Sequence, residues 1–98
     1  MKKTTKKKRS KPKVLSAAHH SKYFILCDGN KVKSVKELAD ILENNENYLK
    51  HHVREDSNDF ALWIEHVFNS KKLAELVNNC EDTNQIRLTI YKFLLEVR

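Results

Sequence analysis

The sequence predicts a mainly α fold: a small four-to-five-helix orthogonal bundle with a short N-terminal β-hairpin and a disordered basic arm. Three observations carry this expectation. One Gly and one Pro in 98 residues supply too few turn formers for an all-β chain. From residue 34 onward, apolar residues recur at spacings of three and four. Ser, Asn and Asp stand at the head of those runs, where a helix needs oxygen acceptors for its first free amides.

The elements follow in order. Tyr23–Cys27 is a short apolar run, "DGN" at 28–30 is a tight-turn signal, and Lys31–Lys33 can return as a second strand. A helix ending at Gly29 is the competing reading. Ser34 and Glu37 form an S-x-x-E capping box. The stripe of Val35, Leu38, Ala39, Ile41 and Leu42 follows it. "ENNEN" interrupts that helix, and a short one with Tyr48, Leu49, His52 and Val53 on one side comes next. "REDSND" at 54–59 is polar and rich in capping residues, so a loop is expected. Asn58 or Asp59 then starts a helix carrying Phe60, Trp63, Ile64, Val67 and Phe68. Ser70 caps the next helix, with Leu73, Leu76 and Val77 inward. The last helix begins near Asp82 or Thr83 and shows Ile86, Ile90, Phe93, Leu94 and Val97. Its second apolar stripe, Leu88, Tyr91 and Leu95, makes it either central to the bundle or the holder of a partner beyond it, and a homodimer contact is the candidate for the latter.

Charge divides the chain at its start. Residues 1–13, "MKKTTKKKRSKPK", hold eight of the 19 Lys and Arg residues and no acid, so the other 85 residues carry 11 basic groups against 13 acidic ones. Residues 1–16 are expected to be a disordered lysine-rich arm, because they offer little apolar surface and their like charges repel. Residues 17–98 are expected to form one helical domain around one core. Only "VLSAA" separates residues 1–13 from His19 and His20, too short for the apolar region of a secretion signal. No stretch reaches the ~20 apolar residues of a membrane span. Cys27 and Cys80 lack a CxxC partner and are expected to be reduced, partly buried thiols.

"KHHVREDSNDFALWIEH", residues 50–66, gathers three histidines and four acids, and so poses the question of metal or acid–base chemistry. Zinc needs about four ligands within ~2.0–2.3 Å of one point. Asp59 and His66 stand seven apart on one helix, ~10.5 Å along its axis, and adjacent His51 and His52 point ~100° apart if helical. No HxxxH or HExxH spacing occurs, and no Gly follows residue 29 to shape a substrate loop. Neither a catalytic residue, a metal nor a cofactor is expected. His52 is expected instead to tie its helix to the loop, Asp59 to accept the free amides of the following helix, and Trp63 to anchor the core.

"CDGNKVKSVKELADIL", "YLKHHV", "NDFALWIEHVF" and "KLAELV" resemble a family of small helical domains of archaea and bacteria with no assigned activity. Its pattern is an aromatic residue and a His before N-D-F-x-x-W-I, followed by L-A. Here Tyr48, His52, Asn58, Asp59, Phe60, Trp63, Leu73 and Ala74 carry the likeness, over residues 23–77. The resemblance implies a helical fold and no catalytic residues; the lysine-rich arm lies outside it.

The arm carries the functional expectation. Lys2, Lys3, Lys6, Lys7, Lys8, Arg9, Lys11 and Lys13 are suited to nucleic-acid phosphates. Lysine in excess over arginine favours point-charge contact over bidentate base reading, so weak sequence preference is expected. Lys71, Lys72, Arg87 and Lys92 are the body's candidates for a secondary patch. The sequence therefore predicts a non-enzymatic, nucleoid- or chromatin-like protein of the cytoplasm, with DNA favoured over RNA and no membrane partner. "KKKRSKPK" also resembles a nuclear import signal, which applies if the source is eukaryotic. A protein-interaction module with an incidental tail is the alternative.

Overall fold

The computed structural model describes residues 13–43 and 45–98. It begins with a 3-10 turn at Lys13–Leu15 whose Val14 is 3% exposed. Val14 thus belongs to the core, and the folded body starts within the segment assigned to the arm. An apolar side chain one residue past a run of lysines still gains from burial, whatever the charge of its neighbours. Ala18 N–H donates to the Lys33 carbonyl at 2.7 Å, which holds this leading segment beside the first hairpin.

Strands β1, Phe24–Ile25, and β2, Lys31–Val32, pair antiparallel with Phe24 opposite Val32 and Ile25 opposite Lys31. The hairpin prevails over the competing helix at its turn. Gly29 takes φ +92°, open to glycine at no steric cost. Asp28 Oδ1 accepts the Asn30 amide at 3.0 Å, an Asx contact that favours a turn over helix.

Helix α1, Val35–Ile41, begins at Ser34, whose hydroxyl accepts the Glu37 amide at 3.1 Å. Glu37 reaches back one residue further than a standard capping box, accepting the Lys33 amide at 2.6 Å. Helix α2, Glu46–His52, buries Tyr48. The "REDSND" segment, expected as a loop, is a second hairpin, with β3, Val53–Arg54, paired to β4, Ser57–Asn58. Strands of two residues are too short to display an alternating pattern, so no periodicity announces them.

Helix α3, Asp59–Phe68, is capped by Asn58, whose Oδ1 accepts the Ala61 amide at 3.1 Å. Asp59 is therefore the first helical residue and not the cap. Phe60, Ala61, Trp63, Ile64 and Phe68 are buried. Asn69 closes α3 in the left-handed region at φ 55°, and Ser70 caps α4, Lys71–Asn78, by accepting the Leu73 amide. Leu73, Ala74 and Val77 face inward, whereas Leu76, expected inside, is 38% exposed. At 100° per residue, Leu76 lies on the opposite edge of that face from Ala74.

Helix α5, Thr83–Val97, starts from a reciprocal box: Asp82 accepts the Gln85 amide and Gln85 accepts the Glu81 amide. Its buried stripe is Ile86, Ile90 and Leu94. Helix α5 packs along α1 and also against α4, while α3 and α4 pack as sequence neighbours. Phe60, Leu38, Leu42, Ile64 and Ile90 sit fully buried at the centre. Each such side chain stabilises the fold by roughly 1.5–3 kcal/mol relative to exposure. The mainly helical class, the five helices and the first hairpin agree with the expectation.

Candidate functional site

The second hairpin explains why His52 and Asp59 meet. Helix α2 ends at His52, the chain turns through β3 and β4, and it returns at Asp59 to begin α3. His52 Nδ1 lies 3.1 Å from Asp59 Oδ2. Its other nitrogen, Nε2, accepts the Cys27 backbone N–H at 3.1 Å. Because that amide can only donate, the imidazole proton resides on Nδ1 and is donated to the carboxylate. His52 also stands edge-on to Phe24, with ring centroids 5.0 Å apart, and packs beside Phe60 at 5.4 Å. One side chain thus joins the first hairpin, α2 and α3.

Trp63, one turn into α3, extends the joint. Its indole N–H donates to the Lys22 carbonyl at 2.8 Å, and its ring meets Phe24 and Phe68 edge-on. Asn58 caps α3, and its amide approaches the Val77 carbonyl of α4 at 3.5 Å. His52, Asn58, Asp59, Phe60 and Trp63, which carry the motif, gather at this joint. Leu73 and Ala74 lie on the buried side of α4. Both ring nitrogens of His52 are engaged within the protein, so the arrangement holds elements together.

Other acids are committed as well. The Tyr48 hydroxyl donates to Asp28, and that bond, with backbone amides beside it, holds the Asp28 carboxyl below its ordinary value. Tyr91 donates to Asp40, and this bond together with Lys36 at 2.9 Å lowers the Asp40 carboxyl. The same bonds raise both phenols above their ordinary value. Among the described residues, no group of three His, Cys, Asp or Glu side chains could hold a metal ion. Cys27 is exposed rather than partly buried, because its position at the hairpin turn faces outward. The Cys80 thiol, half-buried, lies between the Leu76 carbonyl and Thr89 Oγ1.

Of the arm's cations, Lys2, Lys3, Lys6, Lys7, Lys8, Arg9 and Lys11 lie outside the described residues. Lys13 is exposed where the first 3-10 turn begins. Leu88 and Leu95 are 65% and 63% exposed on α5, but Tyr91 between them is half-buried and tied to Asp40. Leu95 borders an open groove of about 490 Å³, lined mainly by Val14, Leu15, Ala17, Tyr91 and Leu94. No described helix is long and apolar enough to cross a membrane.

Two of the helical cations singled out in the sequence, Lys71 and Arg87, sit among acidic or polar neighbours. Lys71 shares a groove with Glu65 and Glu75, and Arg87 is held by the Ala39 carbonyl and Asn84. The structure brings forward a different set. Opposite Phe24 and Val32, which point into the core, the outer side of the first hairpin carries Ile25 and Lys31 as a cross-strand pair. Tyr23 and Lys33 flank that pair, with Lys33 Nζ 5.9 Å from the Tyr23 ring centroid. The alternation K-V-K at 31–33 was the available signal. Compared with protein-family models, curated proteins and solved structures, the chain matches none of them.

Proposed function

We propose that this chain is a non-enzymatic nucleic-acid-associated protein that holds the phosphate backbone through its basic arm with little sequence preference. In a bacterial or archaeal cell it would act at the nucleoid. The observation that carries this reading is the placement of eight Lys and Arg residues, and no acid, within residues 1–13. Each cation that neutralises a phosphate releases condensed counterions, a driving force that needs no base contact. The body would join two arms by a dimer contact over Leu88 and Leu95, and linked arms gain avidity through effective concentration.

The test is fluorescence anisotropy of a labelled random-sequence duplex titrated with the whole chain at several salt concentrations. If about six arm cations engage, log K should fall with log salt at a slope of roughly −5. Replacing Lys2, Lys3, Lys6, Lys7, Lys8, Arg9 and Lys11 by Gln should abolish most of that dependence. Absence of binding by the unmodified chain at low salt defeats the reading. The apolar groove beside Leu95 supports a second reading, a protein-interaction module with an incidental tail. It predicts partner capture that survives the seven Gln substitutions.

A further inference from the structure

The charge division seen at residue 13 runs further into the fold. Residues 1–36 contain 12 of the chain's 19 Lys and Arg residues and one of its 13 acids, so residues 37–98 carry seven basic groups against 12 acids. The acid in the first part, Asp28, has its oxygens occupied by Asn30 and Tyr48 at the hairpin turn. Lys36 is paired with Asp40. Lys22, Lys31 and Lys33 are exposed and have no ion-pair partner among the described residues.

The first hairpin and the chain directly flanking it carry these three cations. Lys31 lies in β2 and Lys33 is the residue that follows the strand, so at an extended-chain rise of ~3.3–3.4 Å per residue their Cα atoms stand about 6.7 Å apart, and both side chains are exposed. That separation is on the scale of neighbouring phosphates along a nucleic-acid strand. Ile25, 54% exposed, and Tyr23 lie between them and the opposite edge of the ribbon. Lys22, exposed, ends the 3-10 turn His20–Lys22 one residue short of β1, and its carbonyl is held by the Trp63 indole. The hydrogen bond from Ala18 to Lys33 places the chain leading out of the arm against this hairpin. The lysines therefore stand on backbone tied to the core through Phe24, Val32 and the Trp63 indole.

We infer that the first hairpin and the turn leading into it, through Lys22, Lys31 and Lys33, form a second phosphate-binding surface for duplex DNA. This rests on the proposed nucleic-acid reading. It adds a fixed contact from the folded body. The arm supplies attraction, and the hairpin orients the body on the duplex. Three added phosphate contacts steepen the salt slope by roughly 2.7 in total, at about 0.9 each.

The experiment uses the full chain and a labelled random 20-base-pair duplex, comparing the unmodified protein with Lys22→Gln/Lys31→Gln/Lys33→Gln. A charge-matched control, Lys50→Gln/Lys71→Gln/Lys72→Gln, alters exposed lysines of the helices. Circular dichroism melts establish that both variants fold as the parent does. The expected result is a salt slope shallower by two to three units for the hairpin variant alone, with affinity about 10²–10³-fold lower near 0.1 M salt. If the unmodified chain binds steeply but the hairpin variant keeps its slope, the inference fails and the arm reading stands. An equal loss in the control, or binding of single-stranded RNA in preference to the duplex, also overturns it. No binding by the unmodified chain removes both readings together.

Discussion

Replacing His52 by Ala should destabilise the fold by about 3 kcal/mol, and the structure indicates where each part arises. The His52 side chain is 11% exposed, so water does not fully replace its partners. Loss of the Cys27 amide bond to Nε2 removes a neutral hydrogen bond, about 1 kcal/mol. Loss of the Nδ1–H donor to Asp59 removes a charge-assisted bond of about 1.5–3 kcal/mol, discounted to ~1 because the Asp59 side chain is 32% exposed and water replaces the donor. Edge contacts with Phe24 and Phe60 contribute about 1 kcal/mol more. His52→Asn can keep a donor toward Asp59 and should lose about 2 kcal/mol. His52→Gln can keep an acceptor toward Cys27 and should fall in the same range. The assay is urea unfolding followed by the fluorescence of Trp63, the chain's one tryptophan. Unfolding of His52→Ala within about 0.5 kcal/mol of the parent, at unchanged m, would refute the account of this residue as the joint.

Further outcomes are expected elsewhere. Deleting residues 1–12 should leave the melting temperature nearly unchanged. Val14→Ser in the full chain should cost about 2 kcal/mol in chemical unfolding, because Val14 is core. Trp63→Phe removes the bond to the Lys22 carbonyl and should cost about 1–2 kcal/mol by circular dichroism, with faster proteolysis near residues 13–22. Asp28 and Asp40 have depressed carboxyl values, so their contribution is complete above the ordinary value of 3.8 and is lost as pH falls through the lower native values. Tyr48 and Tyr91 are raised, so theirs is complete below 10.0 and is lost as pH climbs through the higher native values. Asp40→Asn should flatten the acid limb of a stability–pH curve, and Tyr91→Phe should flatten both limbs. Leu88→Glu with Leu95→Glu should abolish self-association in sedimentation equilibrium if α5 carries the dimer contact; equal association of the two proteins would exclude it.

Four of the five helices are legible in the sequence through two concordant signals, a capping residue and an apolar stripe, whereas α2, whose Asn45 makes no side-chain cap bond, shows only its apolar side. Ser34, Ser70 and Asp82 cap as their positions predict, and the stripe from Phe60 to Phe68 is the clearest of all. The second hairpin is not legible, since a strand of two residues has no period. Its effect reaches the histidine cluster: whether His52 touches Asp59 depends on a backbone reversal that "REDSND" does not announce. Val14 is hidden for another reason. Composition averages over a window, and the lysines preceding Val14 mask one apolar side chain that the core receives. The hairpin's lysines are plain in number but not in arrangement, because only register tells which of residues 31–33 faces out.

The packing of α5 along α1 links the chain's remote parts. Helices α3 and α4 are joined by two residues and can zip together locally, whereas Tyr91 reaches Asp40 across 51 positions. Closing so long a loop carries a larger entropy cost, so the α3–α4 pair should assemble early and the α1–α5 closure late. Val14 borders grooves shared with Phe93, Leu94 and Val97 of α5. In the native state, a partial opening that lifts α5 would unseat Val14 as well. Hydrogen exchange should then show the Lys13–Leu15 turn and the end of α5 losing protection together, ahead of α3. The turn at Lys13–Leu15, where the cationic segment meets the body, would be released in the same fluctuation without unfolding the rest of the protein.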